Sequence, residues 1–320
     1  MGMINMIWRA SVPTGRWSAA MEGECPHEPP SAHSAEGKRC RDPRTARLLS
    51  PHSKLLPTER AQNTRSTRTP PAINVVAGHV VPFAVWLAVI FALQIWESVG
   101  EVPRMVYPWS YALKSVVCAA LFLWLRPWRV YPALRLRHVP LALAAGMVVA
   151  LLWILPETPW VGRIAPGFQL FYHRWLIMMP GTLPGYFNPD LSPPLPPGHI
   201  SLAFAPEQAG WVLTLLKLVG SAAVIAVIEE FFFRGFFYRW LRQGAFWTVP
   251  LGVFDMQAFW TVAVVFALEH DRWAAGLLAG VVYGWLAVRT GDIWAAALAH
   301  GVTNLALGVY VIVSRQYGFW

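Results

Sequence analysis

Ala226-Val227-Ile228-Glu229-Glu230-Phe231-Phe232-Phe233-Arg234-Gly235-Phe236-Phe237-Tyr238 sets two adjacent carboxylates and one arginine inside an otherwise apolar run. An ionisable group at membrane depth costs several kcal/mol unless it is paired or faces water, so three together mark a functional site. Glu230 and Arg234 are four residues apart and share one helix face, whereas the residue four beyond Glu229 is Phe233. Glu229 is therefore the carboxylate that its own helix leaves without a counter-charge.

The surrounding composition excludes an ordinary soluble domain. Of 320 residues, 56% are hydrophobic and only 13% charged, and eighteen are tryptophan. The net charge of +9 is unevenly spread: residues 1–73 carry 11 Lys/Arg against 6 Asp/Glu, and residues 74–320 carry 15 against 11. That excess belongs to a tail and to loops that orient membrane spans. A basic stripe interleaved with aromatics on a soluble face is absent, so no nucleic-acid partner is expected. Cys25, Cys40 and Cys118 are widely spaced, without a CxxC pair, and read as three unrelated thiols.

Working outward, the quoted stretch sits in an apolar run over residues 209–241 that is longer than a bilayer requires. Before it come spans over 75–96, 109–125 and 139–155; after it come 258–270, 273–288 and 293–313. Residues 157–208 form a proline-rich connection in which 168–179 reads as an interfacial helix. Residues 1–73, rich in Arg, Pro, Ser and Thr, have no sustained apolar period and are expected to be a disordered basic tail. The chain start lacks the apolar core of a secretory signal. The expectation is an all-α, polytopic membrane bundle of seven to eight transmembrane helices over residues 74–320. Arg126, Arg129, Arg135 and Arg137 make the densest basic loop, which the positive-inside rule assigns to the cytoplasm together with the N-terminus.

The last four apolar segments carry Glu229, Glu230, Arg234, His270, His300 and Asn304, with Phe266 and His270, and His300 and Asn304, each at i, i+4. Taking 1.5 Å per residue from the presumed cytoplasmic end of each segment, Glu230 lies roughly 16 Å deep, His300 roughly 12 Å, and Asn304 and His270 roughly 18 Å. One polar cavity is thus geometrically reasonable if the helix before His270 begins near residue 258; a start near Val249, across Asp255, moves His270 toward the outer face. A carboxylate and an imidazole facing each other in low dielectric can hold and deprotonate a water. A second histidine and an asparagine can steady the oxyanion formed when that water attacks an amide carbonyl. The same Glu-His-His set is also ligand chemistry for zinc, but without HExxH or a cysteine cluster no metal cofactor is expected.

Glu229-Glu230-Phe-Phe-Phe-Arg234 matches EExxxR, Phe266-Ala-Leu-Glu-His270 matches FxxxH, and His300-Gly-Val-Thr-Asn304 matches HxxxN. In this order, in separate apolar segments, they resemble the CPBP family of CAAX prenyl endopeptidases, bacteriocin-processing proteins and their bacterial relatives. The resemblance covers about residues 209–305 and extends, more weakly, to the bacterial CAAX prenyl protease-related proteins of exosortase systems. It implies an intramembrane endopeptidase of the bacterial inner (cytoplasmic) membrane, acting on a membrane-associated protein or peptide substrate. It further implies Glu229 as base, His270 as its partner, His300 and Asn304 as oxyanion stabilisers, and Glu230, Arg234 and Phe266 in support. A second reading is a non-catalytic membrane scaffold or accessory protein of a surface-protein sorting system. A small transporter is disfavoured, because no paired Gly/Pro-interrupted spans mark inverted repeats.

Overall fold

The computed structural model describes residues 72–177 and 200–320. The expected disordered tail lies outside them, except for Ala72 and Ile73, which begin the first helix; the Pro193–Pro197 stretch also lies outside. Among the described residues there is no strand, and the helices are α1 (Ala72–Val99), α2 (Val106–Leu125), α3 (Val139–Ile154), α4 (Pro159–Ile164), α5 (Pro166–Trp175), α6 (Pro206–Arg242), α7 (Met256–Leu268), α8 (Trp273–Thr290) and α9 (Ile293–Ser314).

Their ends follow from local chemistry. Asp255 caps α7, its Oδ1 accepting from the Ala258 amide at 2.9 Å, and Asp292 caps α9, its Oδ1 accepting from the Trp294 amide at 3.1 Å. Gly291 ends α8 at φ 60°, a left-handed conformation that costs glycine little. Two residues, Gly291 and Asp292, therefore stop one helix and start the next. Oδ2 of Asp292 also accepts from the Arg135 amide at 3.1 Å and contacts His138 Nδ1 at 2.9 Å, which ties the basic loop to the start of α9.

Helix α6 is 37 residues long and bends at Gly210, whose φ of 78° interrupts the helix. Beyond the bend the helix carries two widened π-type stretches, Gly220–Ile225 and Phe231–Phe237, on either side of the regular turn Ala226–Glu230. Such widening recurs at functional sites because it re-aims side chains that a regular helix would fix. Both acidic residues of the opening stretch lie in that central turn.

Helix α9 runs through the interior against α3, α6 and α8, and α7 pairs with α8. Glycine allows two of these approaches: a Cβ at Gly146 would collide with the Ala299 carbonyl, and one at Gly301 would lie 2.7 Å from the Ala222 carbonyl. The packed interior is made of alanines and aromatic rings, including Ala295, Ala296, Ala299, Phe231, Phe233 and Phe266, whereas Val212, Trp124 and Val313 on the outside are more than 70% exposed. A surface that apolar suits lipid and not water.

Among the described residues six helices are long and apolar enough to cross a membrane, α3 counted with its flanking turns over Leu136–Glu157, and α7 is a shorter apolar helix of 13 residues. At 1.5 Å per residue α7 spans about 20 Å, short of the roughly 30 Å of a hydrocarbon core. The expected seven to eight spans thus resolve into six full-length helices and one partial one. Helix α5 forms where the interfacial helix is expected, although residues 178–179 of that stretch lie outside the described residues.

Candidate active site

The beginning of α7 decides whether the polar residues meet. Capped by Asp255, α7 starts at Met256 and not near Val249, so His270 falls in the turn after the helix. That turn is anchored on two sides. Arg272 grips Glu157, in the 3-10 turn that follows α3, through both Nε and Nη2, and its Nη1 donates to the Gly318 carbonyl at 3.0 Å. Trp273 Nε1 donates to the Trp175 carbonyl at the end of α5 over 3.0 Å.

His270 itself donates from Nδ1 to the Phe266 carbonyl at 2.8 Å, one turn back in α7, which leaves Nε2 as an acceptor. Its ring packs against Phe266 and Trp153, with centroids 4.8 and 5.3 Å away. The FxxxH spacing thus has a local cause: four residues bring the His270 ring back against Phe266 while the Phe266 carbonyl fixes the tautomer.

On α6, Glu230 is fully buried and its Oε1 accepts from Arg234 Nη1 at 2.9 Å, the i, i+4 pair expected from the sequence. Arg234 also donates from Nη2 to the Gly280 carbonyl at 2.9 Å and lies over the Phe266 ring at 4.7 Å. Burying such a pair is costly unless further hydrogen bonds hold it, and the α8 carbonyl supplies one.

His300, on α9 and 3% exposed, stands between the two carboxylates. Its Nδ1 donates to Glu230 Oε1 at 3.1 Å, and its Nε2 lies 3.6 Å from Glu229 Oε2, inside ion-pair range but beyond a direct hydrogen bond. Tyr283 of α8 stacks on the imidazole at 4.8 Å and donates its hydroxyl to Thr303 Oγ1 at 2.7 Å. Thr303 in turn donates to the Gly146 carbonyl at 2.8 Å, so three helices set the ring's orientation. Asn304 spends one N–H on the Ser221 carbonyl of α6, 3.0 Å away, and keeps a second.

A cavity of about 190 Å³ joins these groups, with His270, His300, Asn304, Ser221, Tyr283 and Lys217 on its wall. The carboxylates reach it through His300. The structure therefore brings Glu229, Glu230, Arg234, Phe266, His270, His300 and Asn304 to one place. His300 is the imidazole within 4 Å of Glu229, and among the described residues no carboxylate lies that close to His270. For Glu229 and His270 to act together, a water or a substrate atom must stand between them. Tyr283, Thr303 and Lys217 fall outside the three motifs. Tyr283 and Thr303 carry no signal in a single sequence, whereas an ammonium at position 217 of an apolar run carries the same signal as Glu229.

Fold and site together define a multi-pass helical membrane protein with a buried Glu-His-Arg centre beside a polar cavity. Residues 211–306 match the family described as Type II CAAX prenyl endopeptidase Rce1-like, and that stretch holds all three motifs. The match supports a membrane endopeptidase in general terms. No curated protein matches the chain, and no solved structure does.

Proposed function

We propose that the protein is an intramembrane endopeptidase that hydrolyses a peptide bond of a membrane-associated protein substrate. The observation that carries this reading is His300 held between Glu229 and Glu230 at the wall of a cavity that also takes in His270 and Asn304. In this reading a water between Glu229 and Nε2 of His270 loses its proton to Glu229 while its oxygen attacks the substrate carbonyl. The free N–H of Asn304 faces the oxyanion, and His300, when protonated, adds its Nε2–H from beside Glu229. Collapse of the tetrahedral intermediate breaks the C–N bond, and the proton held by Glu229 passes to the leaving amine. Glu230 and Arg234 orient His300 and balance charge, and no metal takes part.

The basic loop around Arg126, Arg129, Arg135 and Arg137 supports a cytoplasmic N-terminus, and the bacterial character of the resemblance supports the inner membrane. The test compares wild type with Glu229→Gln in cells of the source organism at equal membrane abundance, reading the termini of membrane-associated proteins by mass spectrometry. Cleavage products lost only in the mutant support the reading and deliver the substrate. A substrate set drawn from sorted surface proteins would support the narrower exosortase-associated role. Identical termini would move the protein to the scaffold class.

A further inference from the structure

Two lysines lie inside the bundle, and the chemistry above uses neither. Lys217 of α6 is 9% exposed and Lys114 of α2 is 6% exposed, each within a segment apolar enough to span a membrane. Among the described residues neither has a carboxylate within ion-pair distance. Aromatic faces surround both, and Glu229 lies within electrostatic reach of Lys114 but not of Lys217. The Lys217 ammonium sits over Phe204 at 3.9 Å and over Tyr111 at 4.4 Å, with the Trp320 ring at 5.4 Å, while Lys114 sits over Trp86 at 4.1 Å and shares Tyr111 at 4.8 Å.

Rings offset part of the cost of a buried ammonium but do not neutralise its charge. A cation inside a membrane bundle ordinarily faces a partner or a ligand pathway. Lys217 faces the cavity shared with His270, His300 and Asn304. It also lies one helical turn before Ser221, whose carbonyl holds Asn304, so the ammonium and the oxyanion-facing groups belong to neighbouring turns of one wall.

We propose that Lys217, reinforced by the second positive charge of Lys114, receives a carboxylate of the substrate and thereby sets which peptides enter the cavity. This rests on the endopeptidase reading for the nature of the ligand. A carboxylate completes the ion pair that the described residues leave open, and a charge-assisted hydrogen bond to the ammonium discriminates against a neutral amide. The carboxylate can come from a peptide's free C-terminus or from an Asp or Glu side chain.

The experiment uses full-length protein in detergent and three fluorescent, N-palmitoylated peptides of sequence Ala-Leu-Val-Leu-Ala-Leu: one with a free C-terminal carboxylate, one with a terminal amide, and one amidated but with a glutamate replacing the central valine. Affinity is read by anisotropy, and cleavage is read on the same samples. The expected result is at least ten-fold tighter binding of one acidic peptide than of the neutral amide, and which one it is identifies the carboxylate's source. Lys217→Met should bring that ratio to within about two-fold, and Lys217→Arg should keep it. Lost packing alone would weaken all three peptides together and leave the ratio unchanged. Equal binding of acids and amide by wild type, or no binding by any of them, overturns the proposal without recourse to a variant. A charge preference without cleavage overturns the endopeptidase reading and leaves the carboxylate site standing; cleavage without a preference does the reverse.

Discussion

Nδ1 of His300 donates to Oε1 of Glu230 over 3.1 Å, and this bond turns the opposite nitrogen toward Glu229. Glu229 and Glu230 are neighbours in sequence but differ in circumstance: Glu230 is fully buried and bonded to Arg234, while the side chain of Glu229 is 13% exposed. The sterically near-neutral change Glu229→Gln should therefore lower cleavage by about 100-fold or more, the scale of a lost general base. Thermal unfolding should move little, because among the described residues Glu229 has no direct hydrogen-bond partner.

Glu230 predicts the opposite balance. Removing its charged partner by Arg234→Met leaves the buried carboxylate with only the bond from His300 Nδ1, and breaking a buried ion pair in this way costs about 3–5 kcal/mol. Thermal unfolding in detergent should record that loss, and the double change Glu230→Gln with Arg234→Met should recover much of it. A single mutant as stable as wild type would contradict a structural role for the pair.

The turn that carries His270 depends on Arg272 and Glu157. With Arg272→Met, Glu157 loses its bidentate partner and the turn its tie to α3. Amide hydrogen exchange over residues 269–272 should accelerate and cleavage should fall, with α9 unaffected. Unchanged exchange there would show that the Trp273 contact alone suffices.

Tyr283→Phe keeps the ring stacked on His300 and removes only the hydroxyl bonded to Thr303. The expected cost is about 0.5–1.5 kcal/mol of stability, the ordinary worth of one hydrogen bond. Cleavage should stay within a few-fold of wild type. Tyr283→Ala, which also removes the stacking surface, should lose far more.

In a metal-free site, prolonged dialysis against a strong chelator should leave cleavage unchanged. Both nitrogens of His300 face carboxylates, and Nδ1 of His270 is committed to the Phe266 carbonyl, an arrangement organised by hydrogen bonds. Activity lost on chelation and restored by zinc would reassign Glu229 and the histidines as ligands.

Much of this architecture was legible because charges are rare in apolar sequence. The i, i+4 spacing of Glu230 and Arg234 predicts a pair that forms, and the three motifs mark the residues that converge. The helix start before His270 was ambiguous, since an aspartate in an apolar region reads equally as a position inside a helix or as its cap; Asp255 is the cap. The π-type widening around Glu229 and Glu230 left no trace, because no residue type compels it. Nor did the approach of His300 to within 4 Å of Glu229. Depth arithmetic along separate helices fixes height and says nothing of which faces turn toward each other.

The central claim is hydrolysis by Glu229-activated water, and the most direct measurement is cleavage of a broad panel of membrane-tethered peptides by purified protein in proteoliposomes, wild type beside Glu229→Gln. The account predicts defined cleavage by wild type that nearly disappears in the mutant while its thermal unfolding is unchanged. Cleavage that persists at the wild-type rate in the mutant, or none from a folded wild-type protein across the whole panel, would contradict it.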